Sequence, residues 1–323
     1  MKKFALIPLL TICTILLTFY SCKKDEDTIT PVIEETTPIT NTPTSSTSNL
    51  SDFFNQNITD NTQSFTVDAS TWSSFTGSKG TYAYIPANSF KDNSGNIVSG
   101  NISIELIEIQ TKADMIWMNK TTTSNGQLLV SGGELSIKAF QNGEQLTLSQ
   151  NGYVSIQMPT NNPTNMSLFS GTEDAIGNVN WDSTGTTVPV DTSGGFNFTI
   201  QSGTFSNDSL GWINCDYFYN QSNLTTLSVI PPTNHDGTNT SIYLFFNNIY
   251  SVAPAAWNSN SSNFQSYLNS LPIGEQITIV AVSDINGQMY SSFTPITLTA
   301  NHSETITLSS TTALAFQADL DNL

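Results

Sequence analysis

Residues 134–158 read ELSIKAFQNGEQLTLSQNGYVSIQM. Leu135, Ile137 and Ala139 alternate with Ser136 and Lys138, and Val154, Ile156 and Met158 alternate with Ser155 and Gln157. Between them, Leu146 and Leu148 flank Thr147. Strict period two over short runs describes strands with one buried face. Two Asn-Gly pairs, at 142–143 and 151–152, separate the runs. Asn-Gly is the strongest short hairpin signal, because both residues accept the positive φ of a two-residue turn. The spacing predicts a three-strand antiparallel meander.

The same pattern extends outward. Ile102, Ile104 and Leu106 alternate with Ser103 and Glu105, then the phase slips so that Ile107 and Ile109 flank Glu108. Such a slip predicts a β-bulge or a strand buried on both faces. Further short strands are expected at 166–169, 179–181 and 196–200. Even strand spacing predicts a β-sandwich domain over 51–204, with a boundary near Gln201-Ser202-Gly203. A second set at 212–218, 226–230, 242–246, 276–282, 289–293 and 305–308 predicts another β-sandwich-like domain over 205–323. Asp236-Gly237 and Asn286-Gly287 mark turns within it. Phe264, Tyr267, Leu268 and Leu271 instead follow i, i+3, i+4, i+7, which predicts a short helix stopped by Pro272. The expected fold class is all-β: two sandwich-like domains, with one short helix in the second.

The chain has 323 residues and a net charge of −17, and its nine basic residues are all lysine. Binding to phosphate backbones needs clustered Lys and Arg, so the composition argues against nucleic acid as a partner. It argues equally against a polybasic membrane patch. Only 11% of residues are charged, against about 25% in typical domains. Asn, Thr and Ser therefore carry the surface.

Catalytic chemistry finds little footing. The two histidines, His235 and His302, come without HExxH, CxxC or GxSxG spacing. A zinc site wants three or four convergent ligands, and a nucleophilic serine wants a base and a carboxylate. Both histidines read as turn residues. No catalytic residue, metal ligand or cofactor is assigned. Glu105, Glu108 and Glu173-Asp174 read as solvated surface, and Asp92-Asn93-Ser94-Gly95-Asn96 as a hairpin turn rather than a calcium loop. Cys215 reads as a small buried residue. Trp72, Trp181, Trp212 and Trp257 suit a sandwich core or an exposed sugar platform, and Trp117 fits either role.

The N-terminus carries a different message. Lys2 and Lys3 precede an uncharged run over 4–20, and Ser21 precedes Cys22. Seventeen residues are short for a spanning helix, which needs about 20. The layout is that of a secretory signal peptide, and it resembles a bacterial lipoprotein signal of the looser Bacteroidota form, without the Leu that usually lies three before the Cys. The resemblance implies a signal peptide over 1–21 and lipid attachment at Cys22. Lys23, Lys24, Asp25 and Glu26 resemble the export signal of surface-exposed lipoproteins in that group. Residues 22–50 are rich in Thr, Ser and Pro and are expected to form a disordered tether, with about 30 Å of reach as a random coil. Thr28, Ser183 and Ser209 lie in triplets resembling the O-glycosylation motif of the same envelope proteins.

Within the folded part, IPANSF (85–90), VSGNISIELIEI (98–109) and SNGQLLVSGGELSIKA (124–139) resemble a domain of Bacteroidota surface lipoproteins. GWINCDYFY (211–219) is similar to segments of the same proteins. That domain is distantly similar to the ZU5 β-sandwich. The His-Phe-Ser motif of self-cleaving relatives is absent, so no autoproteolysis is implied. The resemblance implies an outer-membrane, surface-exposed binding or structural protein without catalysis, its partner another envelope protein or a glycan. The alternatives are a surface glycosidase or peptidase, and an accessory subunit of an outer-membrane complex. Two carboxylates facing across a cleft would favour a hydrolase; an exposed aromatic patch would favour binding. The anchor has a direct test. Cys22→Ala is expected to move the protein from the membrane fraction to the soluble fraction, and unchanged partitioning would sink the lipid anchor.

Overall fold

The period-two segments form strands that assemble into three main sheets. The structure, a computed structural model, describes residues 50–174, 177–192 and 194–323. In chain order come α1 (Leu50–Asp60), β1 (Gln63–Asp68), β2 (Ser73–Thr76), β3 (Tyr82–Ile85), β4 (Asn101–Ile109) and α2 (Lys112–Trp117). Then follow β5 (Gln127–Gln141), β6 (Tyr153–Met158), β7 (Met166–Glu173), β8 (Val179–Val188), β9 (Phe196–Gln201) and β10 (Trp212–Phe218). The last third holds β11 (Ser228–Ile230), β12 (Thr240–Phe246), β13 (Val252–Asn258), β14 (Asn263–Gln265), β15 (Gln276–Ile285), β16 (Gln288–Thr297) and α3 (Ala313–Asp321).

The first sheet runs β1-β4-β5-β10-β7-β8, antiparallel throughout. The second runs β9-β6-β3-β2. Their facing sides enclose one core, with Ile104, Ile137 and Cys215 from the first sheet against Ile85, Ile156 and Phe198 from the second. This is the expected sandwich. The third sheet runs β11-β14-β13-β12-β15-β16. It encloses its own core, in which Ile242, Leu244 and Ile279 meet Val229 and Phe264 from its far end. A further core lies between. There Phe169, Trp181 and Trp212 of the first sheet, Tyr243 and Val280 of the third, and all three helices pack together. Lys112 on α2 donates to the carbonyls of Phe246 and Ile249, tying that helix to the third sheet.

The expected boundary near 204 is not where the sheets divide. β10 lies beyond it in sequence, yet pairs with β5 on one side and β7 on the other. The described residues fall in one compact unit that shares the middle core. The meander is also corrected. Asn142 and Gly143 adopt φ 55° and 85° and close the predicted hairpin onto Glu144–Gln145. Gly152 serves another purpose: a Cβ there would lie 2.0 Å from the Ser89 carbonyl oxygen. The chain crosses at that point to the opposite sheet, where β6 pairs with β3 and β9.

The phase slip at Leu106-Ile107 resolves as burial on both faces, since the β4–β5 register is unbroken and residues 106 and 107 enter different cores. The register break lies instead between β5 and β10, at Gly132-Gly133 opposite Cys215. No helix forms at 264–271. Phe264 sits in β14, paired on both sides, and Leu271 pairs with Thr225, while Tyr267 and Leu268 stay exposed. Two turns of helix cannot offset the nucleation cost when sheet edges on either side accept the same backbone. The α-helix in this part of the chain is α3, capped by Thr312 and buried through Phe316 and Leu320. α1 buries Leu50, Phe53, Phe54 and Asn57, a helical period of its own.

Gly132 lies in the first core with no room to grow, because a Cβ would sit 2.4 Å from the Phe196 ring. Gly132→Ala is expected to cost about 1–3 kcal/mol, the usual range for overpacking. Urea unfolding measures it, and an unchanged midpoint would contradict this packing.

Candidate functional site

A concavity lies where the edge of the first sheet meets the third. β8 contributes Val179 and Asn180, the segment after α2 contributes Asn119, Thr121 and Thr123, and β12 and β13 contribute Tyr243 and Trp257. The cleft measures about 480 Å³. Hydrogen bonds fix its floor. The Tyr243 hydroxyl donates to Asn119 Oδ1 at 2.8 Å, and Asn119 Nδ2 donates to Asn178 Oδ1 at 3.1 Å. Trp181 Nε1 donates to the Thr121 carbonyl at 2.7 Å. Beneath, the buried Lys120 ammonium donates to the Gly177 carbonyl at 2.7 Å and pairs with Glu173 at 2.9 Å.

Two rings form the rim. Trp257 lies against Gly237, where a Cβ would approach its side chain to 2.5 Å, and packs edge-on to Phe264 at 5.0 Å. Tyr267 lies over Gly126 and is 48% exposed. A second hollow of about 440 Å³ shares Pro254, Ala256, Trp257 and Tyr267 with the first and continues past Asn258 and Gln265. Leu268 at its end is 81% exposed. Together the two make a groove with rings at the middle and amides and hydroxyls along its length. Asp174 is the one charged residue among the described residues lining it, and it accepts hydrogen bonds from the Asn178 amide groups. Such a surface offers ring faces to C–H groups and amides to hydroxyl groups, the two needs of a sugar.

The residues singled out from the sequence are dispersed. His235 Nδ1 lies 2.9 Å from Ser283 Oγ, but Ser283 is fully buried, and burial pushes the imidazole pKa down. His302 contacts Thr299 and Glu304. Glu108 is no surface group: it is buried and accepts from the amides of Lys79 and Thr81, bracing the loop between β2 and β3. Glu173 is exposed, as expected, and its carboxylate pairs with the buried Lys120. Asp92 accepts from the Asn96 side-chain amide and from the backbone amides of Asn96 and Ser94 in the expected turn, and these bonds hold its carboxyl below the usual range. Cys215 is buried and its thiol is pushed well up. Trp117 is half-buried, edge-on to Phe53 at 5.1 Å. Ser183 is exposed on β8, whereas Ser209 is half-buried and bridges Thr147. Cys22, Lys23, Lys24, Asp25, Glu26 and Thr28 lie outside the described residues, as do the signal segment and nearly all of the tether.

Among the described residues no group of His, Cys, Asp and Glu is placed to hold a metal ion, and no helix is long and apolar enough to cross a membrane. No protein-family model matches the chain, and no curated protein is significantly similar to it in sequence.

One charged cluster escaped the sequence reading. Glu134 on β5 and Asp216 on β10 are both fully buried, and Asn214 lies between them, donating to Asp216 Oδ2 at 2.7 Å and Glu134 Oε1 at 3.4 Å. Among the described residues, Glu134 Oε2 and Asp216 Oδ1 meet no hydrogen-bond partner. Burial pushes both carboxyl groups well up, and for Glu134 the neighbouring Asp216 adds to the effect. The pair lines neither hollow of the groove. The only hint in sequence was a Glu directly after Gly132-Gly133 in an otherwise apolar run.

The linkage runs one way. The unfolded groups release their protons near 3.8 and 4.5, whereas the folded pair retains them. Above that range the folded state binds more protons, so stability falls as pH rises, by about 1.4 kcal/mol per pH unit for each group still protonated. Asp216→Asn, which mimics the neutral acid, is expected to raise the melting temperature at pH 8 and leave it nearly unchanged at pH 4. An equal shift at both pH values would contradict the raised pKa.

Proposed function

We propose that the protein is a non-catalytic, lipid-anchored envelope protein of the Bacteroidota surface type, and that its folded part binds a neutral glycan in the Trp257–Tyr267 groove. The observation that carries this reading is the groove itself: two rings at its middle, a hydrogen-bonded amide floor and a single lining carboxylate among the described residues. Charge supports the same choice of ligand. A chain of net charge −17 repels anionic polymers at long range, while a neutral sugar meets no such barrier. The reading as a hydrolase finds less support, because a glycosidase needs two carboxylates about 5–9 Å apart across its cleft. The anchor and outward-facing location rest on the N-terminal sequence, with Cys22 as the lipidated residue and residues 22–50 as the tether.

Titration with soluble neutral oligosaccharides tests the reading, followed by calorimetry on Tyr267→Ala. Removing a half-exposed ring that stacks on the ligand costs about 1.4–3 kcal/mol, or roughly 10- to 150-fold in affinity. Unaltered affinity in that variant, or release of shortened sugars by the wild type, would count against a non-catalytic groove.

A further inference from the structure

The second sheet has one face in the first core and one face that covers nothing among the described residues. Along β3 and β6 the inward positions are Ala83, Ile85, Val154 and Ile156, all buried. The outward positions form rows across the strands. Tyr82 stands beside Gln157, which stands beside Asn197. Tyr84 stands beside Ser155, which stands beside Thr199. At the end of the plate Tyr153 opens β6, and Trp72, just before β2, is 68% exposed and stacks on Tyr84 with centroids 6.3 Å apart and planes 29° apart.

None of the four strands contains Asp, Glu, Lys or His. Strand spacing of about 4.8 Å and a two-residue step of about 6.7 Å make the plate roughly 14 Å by 13 Å. Its far end runs into a shallow cleft of about 340 Å³ beside Tyr82 and Gln157.

We propose that this face is a second carbohydrate-binding surface, taking the flat side of an extended, uncharged polysaccharide. Three features select that occupant. The four strands carry no ionised side chain, and the carboxylate in the adjoining cleft, Asp191, would repel an anionic polymer. Its rings are interleaved with amides and hydroxyls rather than aliphatic side chains, so each apolar contact has hydrogen-bonding groups within one strand spacing. It is wider than a single sugar ring, which suits several residues of a laid-down chain. The proposal does not rest on the groove, which lies on other strands.

The experiment is co-sedimentation of the full chain, in detergent, with insoluble cellulose, chitin and mannan. Retention on at least one polymer is expected. The double variant Trp72→Ala/Tyr84→Ala should lower the partition coefficient at least tenfold. Gln157→Glu, which leaves every ring in place and adds one charge, should lower it as well, and both plate effects should persist in a Tyr267→Ala background, in which the groove no longer contributes. Thermal melting of each variant separates lost binding from lost folding. Failure to sediment with any of the three polymers overturns the proposal. So does retention that survives both plate variants, or equal retention on an anionic polymer such as alginate. Capture of an envelope protein by the wild type but not by the double variant, without polymer binding, would replace it with a protein partner.

Discussion

β5 is covered on both of its faces, and that constraint organises the protein. Leu135, Ile137 and Ala139 point into the first core, Leu129 into the middle one, and Leu128 and Val130 into that of the third sheet. A strand so placed has no solvent to satisfy its polar groups, so they turn to partners inside. Ser131 donates to Asn214, Asn214 bridges Glu134 and Asp216, and Thr160 and Asn162 reach in to the carbonyls of Gly132 and Ser131. The Gly132-Gly133 break in register is what shifts the strand from one core to the next. Breaking a partly satisfied network costs more than its bonds suggest, because the remaining groups stay buried.

The distribution of charge follows from the same economy. Lysines are few, and several are committed inward or to carboxylates: Lys120 beneath the groove, Lys112 over the Phe245 ring, Lys79 and Lys91 to Asp114 and Asp208. Exposed ion pairs of this kind add little stability individually. What remains outward on the plate and along the groove is amide, hydroxyl and ring. A surface of neutral polar groups keeps the protein hydrated without a strong local field, and it is the surface a sugar meets best.

Period two announced the strands, and Asn142-Gly143 announced its hairpin, because both signals are local. Other features depend on residues far apart. Trp212-Ile213-Asn214-Cys215-Asp216 looked like the start of a second domain, since nothing within it reports that its partners are Glu134-Leu135 and Phe169-Ser170. Asn151-Gly152 carried a hairpin signature, but the close approach of Ser89 set its use. Phe264, Tyr267, Leu268 and Leu271 had a helix's spacing, and pairing on both sides of β14 overrode it. α1 was readable in principle from Leu50, Phe53, Phe54 and Asn57, a period hidden where a polar tether gives way to the fold. The groove assembles segments near 120, 180, 240 and 265, so no single motif could point to it. Of the plate, β6 with Tyr153 was evident from its alternation, whereas β3, which carries Tyr82 and Tyr84, is too short to have been singled out.

β10 also sets an order of events. It fills the gap between β5 and β7, yet it is reached only after β6, β7, β8 and β9 have been made. Until residue 218 has emerged, the chain carries two long strands with bare hydrogen-bonding edges facing one another. Open edges of this kind pair readily with other chains. A chain emerging from its N-terminus would therefore hold an incomplete sheet until residue 218 is available, and the open gap leaves the unfinished chain prone to pairing with others.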